Sequence, residues 1–208
     1  MAGQAGAACA PSGAIALLAR AIGYALRACV QVTPGEMALS TPCTEWDLEA
    51  LLAHLATSMA DLDAALRTGR LDLDPNDPQR PKNPPGPDRP AAPRLDGDPV
   101  EVLQDRAANL LFTCYAHHGP GRFVLVGGLP LPAGIVACTG AVEIAVHGWD
   151  VSTARGRGGP IPPALATRML RLSPLLVTGR EGLFGVPVPV PSQASPSDRL
   201  VAYLGRNP

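Results

Sequence analysis

Residues 71–97 read "LDLDPNDPQRPKNPPGPDRPAAPRLDG", and their reading decides how the rest of the chain is arranged. Eight prolines and no apolar period mean that neither a helix nor a sheet can persist there. Both flanks read as helix, so residues 71–98 form a long connection. A crossover of that length lets the helix after it lie parallel to the helix before it, where a short loop would force a hairpin.

Upstream, "TPCTEWDLEALLAHLATSMADLDAALRTG" (41–69) carries a helix start signal. Thr44 is placed as an N-cap, Asp47 three residues on sits in a capping-box-like position, and acidic residues fill the first turn. This helix runs to Gly69. Further upstream, "GAIALLARAIGYALRACVQV" (13–32) has apolar residues at helical spacing, with Arg20 and Arg27 on a solvent face. Downstream, a third helix is expected over 99–116, with His117 and His118 capping its last carbonyls. "RFVLVGGLPLPAG" (122–134) reads as a loop or small hairpin before a fourth helix over 135–153. Two prolines in "GRGGPIPPALATRMLRLSPLL" (156–176) suit the start of a fifth helix. The tail, 181–208, is extended and Pro-interrupted before a short helix over 197–204. The expectation is one all-α domain over 1–208: a four-helix bundle with short C-terminal helices.

Composition narrows the function. Of the 208 residues, 46% are hydrophobic, 17% charged and 4% aromatic, as in a globular chain with a core of Ala, Leu and Val. A net charge of −1 and the lack of a basic run argue against nucleic acid or an anionic membrane as partner. The N-terminal apolar run is interrupted by Arg20 and Arg27, short of the roughly 18 residues of a span, so a cytoplasmic protein is expected. Five cysteines without a CxxC pair suggest neither a disulfide framework nor a thiolate zinc cluster, and each reads as a small core residue. So few charges suggest an apolar face that a second copy could cover in a homodimer.

The chemistry concentrates in "AVEIAVHGWD" (141–150). On a helix Glu143 and His147 lie one turn apart, on a face that the surrounding Ala, Val and Ile bury, and a lone buried carboxylate is costly. His54, on the core-facing stripe of the second helix with Leu51, Leu55 and Leu62, would complete a His₂Glu set. Three such ligands with a fourth position open suit catalytic Zn²⁺, and the same donors accept Ni²⁺, Fe²⁺ or Mn²⁺. An ion there would activate a water or thiol, or polarise a carbonyl. By spacing alone, an E-x-x-x-H pair is more often a helix-surface hydrogen bond than a metal site, and a lone His54 more often still a core histidine. Trp149 and Asp150 read either as a packing wedge and a surface acid, or as a second layer in which Asp150 orients a ligand.

"TPCTEWDLEALLAHL", "EIAVHGWDVSTA" and "FGVPVPVPSQASPSDRLVAYLGRNP", in that order, resemble actinobacterial metal-binding proteins of the DinB/YfiT-like superfamily. More narrowly, they resemble relatives of the mycothiol-dependent maleylpyruvate isomerase N-terminal domain. The resemblance implies a four-helix bundle with a long crossover between helices 2 and 3, and a divalent ion held by His54, Glu143 and His147. It also implies a small-molecule substrate and a low-molecular-weight thiol, mycothiol, as cosubstrate of an S-transferase or isomerase. Maleylpyruvate isomerisation itself is not implied, because that enzyme has a further C-terminal domain contributing to its site. Two other readings stand beside this one: a thiol-independent metal-dependent hydrolase, cyclase or isomerase, and a non-catalytic metal-binding bundle.

Overall fold

In the computed structural model, residues 11–30, 32–43, 46–72, 95–117, 119–177 and 184–208 are described. Among the described residues six α-helices, α1 (Pro11–Cys29), α2 (Leu48–Thr68), α3 (Pro99–Ala116), α4 (Ala133–Ala154), α5 (Pro163–Leu176) and α6 (Pro196–Tyr203), accompany a small sheet of β1 (Arg70–Leu71), β2 (Phe123–Val126) and β3 (Leu129–Pro132). The expected all-α bundle is present, with a sheet appended at one end.

Local chemistry sets the ends of the helices. α1 stops at Cys29, earlier than expected, and a few residues on Pro34 holds Thr33 extended at φ −109°, ψ 156°. α2 is capped by Asp47, whose carboxylate accepts from the Ala50 amide at 2.9 Å, and ends on Gly69 in the left-handed region at φ +75°. The cap therefore falls on the residue expected three places inside it; Thr44 lies outside the described residues. α3 has the expected bounds, with Asp98 capping the Val100 amide and Pro99 opening the first turn. At its end His117 Nδ1 donates to the Thr113 carbonyl at 3.2 Å, as expected, while His118 lies outside the described residues.

The sheet reports the direction of the helices. β1 follows α2 directly, β2 follows α3, and the two strands pair in parallel, Arg70 opposite Leu125. Arg122, just before β2, donates from Nη2 to the Leu66 carbonyl near the end of α2. The C-terminal ends of α2 and α3 thus share one end of the bundle, and the helices run parallel, as the long connection predicts; most of that connection, 73–94, lies outside the described residues. β2 returns through Gly127 and Gly128, both at positive φ (55° and 84°), into antiparallel β3, so the hairpin alternative holds. α4 starts at the same end, where the Ala133 amide meets the Arg122 carbonyl, and runs back against α2. α1 lies along α4 in the same direction: Gly148 sits on Ala25, and further along Arg155 reaches the carbonyls of Ala28 and Val30.

Leu17, Leu18, Ile22, Leu51, Leu52, Leu55, Met59, Leu103, Leu110 and Ile144 are fully buried between these four helices. Arg20 and Arg27 are exposed, as read from sequence. The Ser12–Cys29 window is nonetheless long and apolar enough to match a membrane span by length and composition, contrary to the sequence reading. Here its apolar residues Leu17, Leu18, Ala21, Ile22 and Ala25 belong to the bundle core.

A partly exposed ion pair ties the loop after α1 to the end of α4. Arg155 donates from Nε and Nη2 to the two Glu36 carboxylate oxygens at 3.0 and 3.2 Å. The Arg155 fork and the Thr33 amide hold Glu36 down to about 2, from the usual 4.5. A depressed carboxylate contributes stability above its unfolded pKa that is lost as pH falls toward the folded one. The Tm advantage of the wild type over Glu36→Gln, followed by circular dichroism, is therefore expected at neutral pH and to close between pH 4.5 and about 2.

Candidate metal centre

α2 and α4 face each other at mid-length, and there the three sequence-derived ligand candidates meet. His54 Nε2 and His147 Nε2 each lie 3.0 Å from the same atom, Glu143 Oε1. The two imidazoles meet edge to face with centroids 4.9 Å apart. Side-chain exposure falls from 31% at Glu143 to 14% at His54 and 6% at His147, so the cluster opens to solvent on its glutamate side. Ser58 Oγ is 3.3 Å from His54 Nε2.

Behind His147 lies a second layer. Its Nδ1 is 3.0 Å from Oδ2 of Asp150, which is completely buried. Arg206, from the C-terminal segment, donates to both Asp150 oxygens, Nη2 to Oδ2 at 3.0 Å and Nε to Oδ1 at 3.3 Å. Cys43 Sγ donates to Asp150 Oδ2 at 3.3 Å and lies 3.4 Å from Arg206 Nη2 and 3.9 Å from His147 Nδ1. Trp46 roofs the histidines, its ring centroid 4.5 Å from that of His54 and 6.0 Å from that of His147.

The electrostatics follow from this packing. Burial disfavours charge on all these groups, yet the charge of His147 and hydrogen bonds from both histidines hold Glu143 well below the carboxylate range. His147 is held well above the histidine range, because Glu143 and the Asp150 hydrogen bond outweigh its burial. Burial dominates at His54 and pushes it down. Protons on the two Nε2 atoms thus occupy the space between the three donors.

The donor set fits a divalent ion. Metal bonds of ~2.0–2.2 Å in a tetrahedron put neighbouring donors roughly 3.3–3.6 Å apart; the two nitrogen–oxygen separations of 3.0 Å would need to widen by only tenths of an ångström, and all three ligand atoms lie within 4.8 Å of one another. Cys43, His147 and Asp150 form a second cluster whose ligand atoms also lie within 4.8 Å of one another. There the Arg206 guanidinium already supplies the positive charge, so the first cluster is the better cation site.

Each residue singled out in the sequence is accounted for. His54, Glu143 and His147 are brought together; Asp150 stands on His147 and is no surface acid; Trp149 is 7% exposed and packed in the core. Sequence reasoning missed Cys43, Arg206 and Trp46. Arg206 is far along the chain from Cys43 and Trp46 and no spacing rule joins them to the ligand set, although all three fall inside the stretches that carried the resemblance. The buried Cys29 and Cys114 behave as core residues, burial pushing their thiols up to about 12 and about 11.

A parallel α2/α3 pair, a crossover and a His/Glu/His cluster between α2 and α4 define a helical bundle with residues that could hold a metal ion. Over residues 5–152 the sequence matches the family described as "Mycothiol maleylpyruvate isomerase N-terminal domain", and the chain belongs to that family. Two uncharacterized proteins of Mycobacterium tuberculosis, one from strain CDC 1551 / Oshkosh and one from strain ATCC 25618 / H37Rv, are each 27% identical over 173 residues, covering 80% of this chain and 82% of the relative. No solved structure matches it significantly.

Proposed function

We propose that this protein is a cytoplasmic, divalent-metal-dependent enzyme that activates a low-molecular-weight thiol, mycothiol, for transfer to, or isomerisation of, a small electrophilic metabolite. The observation that carries the reading is the convergence of His54 Nε2 and His147 Nε2 on Glu143 Oε1, in a chain of a family named for a mycothiol-dependent enzyme. His54, Glu143 and His147 would hold the ion, with zinc best suited to two imidazoles, one carboxylate and an open fourth position. When bound, the ion would supply an electrophilic centre that lowers the pKa of a neighbouring thiol into the neutral range.

The chain's own residues supply the rest. Asp150 accepts from Nδ1 of His147 and so would leave Nε2, once its proton on the Glu143 side is displaced, as the nitrogen that binds the ion. Trp46 packs over both imidazoles and limits water on that side. The half-buried carboxylate of Glu143 marks the side from which a thiol and its electrophile would approach. Leu200, Val201 and Leu204 of the C-terminal segment are buried in the same core, which supports reading the chain as one domain.

Zinc-loaded protein is expected to conjugate mycothiol to a soluble alkylating electrophile with saturation in thiol. The activity should disappear with a chelator and return when zinc is restored. Metal-loaded protein that neither binds mycothiol nor consumes it with any electrophile tested would sink the thiol-dependent version.

A further inference from the structure

The C-terminal segment ends against the layer behind His147, and its last turns deliver one side chain there. α6 is anchored by Leu200, Val201 and Leu204 in the core, and by Ser197 Oγ, which accepts from the Ile161 amide at 3.0 Å. The chain then crosses itself: Gly205, at φ +86°, lies so close to the Gly185 backbone that a Cβ on Gly205 would come within 2.5 Å of it. The amide of Arg206 returns to the Val201 carbonyl at 2.9 Å, and its Nη1 donates to the Leu204 carbonyl at 3.0 Å. With its backbone and one arm of its guanidinium held, Arg206 presents the remaining edge to Asp150 as a two-bond fork, and Asp150 Oδ2 also accepts from His147 Nδ1.

We propose that Arg206 is a positioning residue of the metal centre, and that docking of the C-terminal segment and binding of a divalent ion at His147 are coupled through the Arg206–Asp150–His147 chain. The inference rests on reading His54, Glu143 and His147 as the metal centre. Asp150 can hold the His147 ring in one orientation only if its own carboxylate is held, and the fork from Arg206 does that. A single oxygen, Oδ2, links the two sides, so a change in the carboxylate angle caused by loss of the fork turns the imidazole directly. Second-layer partners of this kind typically alter metal affinity about 10- to 100-fold. Coupling is reciprocal, so the ion should tighten the segment as much as the segment tightens the ion.

The test uses zinc and the full chain. Zinc affinity, measured by competition with a chromophoric chelator, is expected to fall about 10- to 100-fold in Arg206→Met and in Asp150→Asn. The double variant should lose little more than either single one, and Arg206→Lys should recover part of the loss. The zinc-induced rise in Tm should shrink with it, a change that a purely structural role for Arg206 would not produce. In the wild type, zinc should slow hydrogen exchange at the Leu204, Gly205 and Arg206 amides, a measurement that needs no variant to fold. Wild-type zinc affinity in a folded Arg206→Met, or exchange at these amides indifferent to zinc, would overturn the coupling alone. Failure of the wild type to bind zinc would overturn the metal reading and this inference with it.

Discussion

Replacing His54 with alanine is expected to abolish stoichiometric zinc binding while leaving the bundle folded. The imidazole is one of three donors and contributes no apolar layer of its own; Leu51, Leu52 and Leu55 around it carry the burial of α2. Without it Glu143 Oε1 keeps a single nitrogen partner, His147 Nε2. A carboxylate and one imidazole do not make a tight zinc site, so the loss should exceed the ~10–100-fold typical of removing a second-layer partner. Elemental analysis after dialysis and calorimetric titration would measure it, with circular dichroism to show that the fold persists. A folded His54→Ala protein with unchanged metal content would instead favour a non-catalytic bundle over either metal-dependent enzyme.

The second large effect is expected one residue beyond His147. Gly148 lets α4 pack closely on α1: a Cβ added there would lie 2.8 Å from Ala25 Cα and 3.0 Å from Ala25 Cβ. Backbone cannot rotate aside as a side chain can, so the helices themselves must part. Alanine would gain about 1 kcal/mol of helix propensity over glycine, which offsets part of the overlap. Leucine adds volume that no rotamer can place, and Gly148→Leu should destabilise the protein by about 3 kcal/mol or more. Urea unfolding followed by tryptophan fluorescence would read this, and a midpoint equal to wild type would refute the close helix contact. Gly140 is a useful contrast, because its nearest neighbour is the Leu62 side chain, which can change rotamer.

Much of the architecture is legible in the amino-acid sequence. The eight prolines of 71–97 argue against a helix or sheet there, so a long connection is expected from local chemistry alone, although Leu71 is drawn into β1 and 73–94 lie outside the described residues. The bounds of α3 can be read correctly because Asp98, Pro99 and His117 act within one turn of its ends. The cap of α2 is misplaced by sequence reading because Thr44 and Asp47 both carry capping side chains, and only the path of the chain entering the helix selects between them. β1 has no sequence signal: its two residues become a strand only because β2 lies beside them.

The candidate centre divides in the same way. Glu143 and His147 can be paired from sequence because 3.6 residues per turn places them on one face, and His54 because a polar side chain interrupts an apolar stripe. Periodicity within one helix predicts neighbours on that helix and nothing across the bundle. That Asp150 is buried against His147, that Arg206 compensates it from the C-terminal segment, and that Cys43 and Trp46 close the cluster are properties of how loops and helices pack together. The sequence by itself determined which residues bear charge in an apolar setting and which helices carry them. Only the tertiary structure decided which of those charges share an oxygen, because hydrogen bonds form within about 3 Å and chain separation carries no information at that distance.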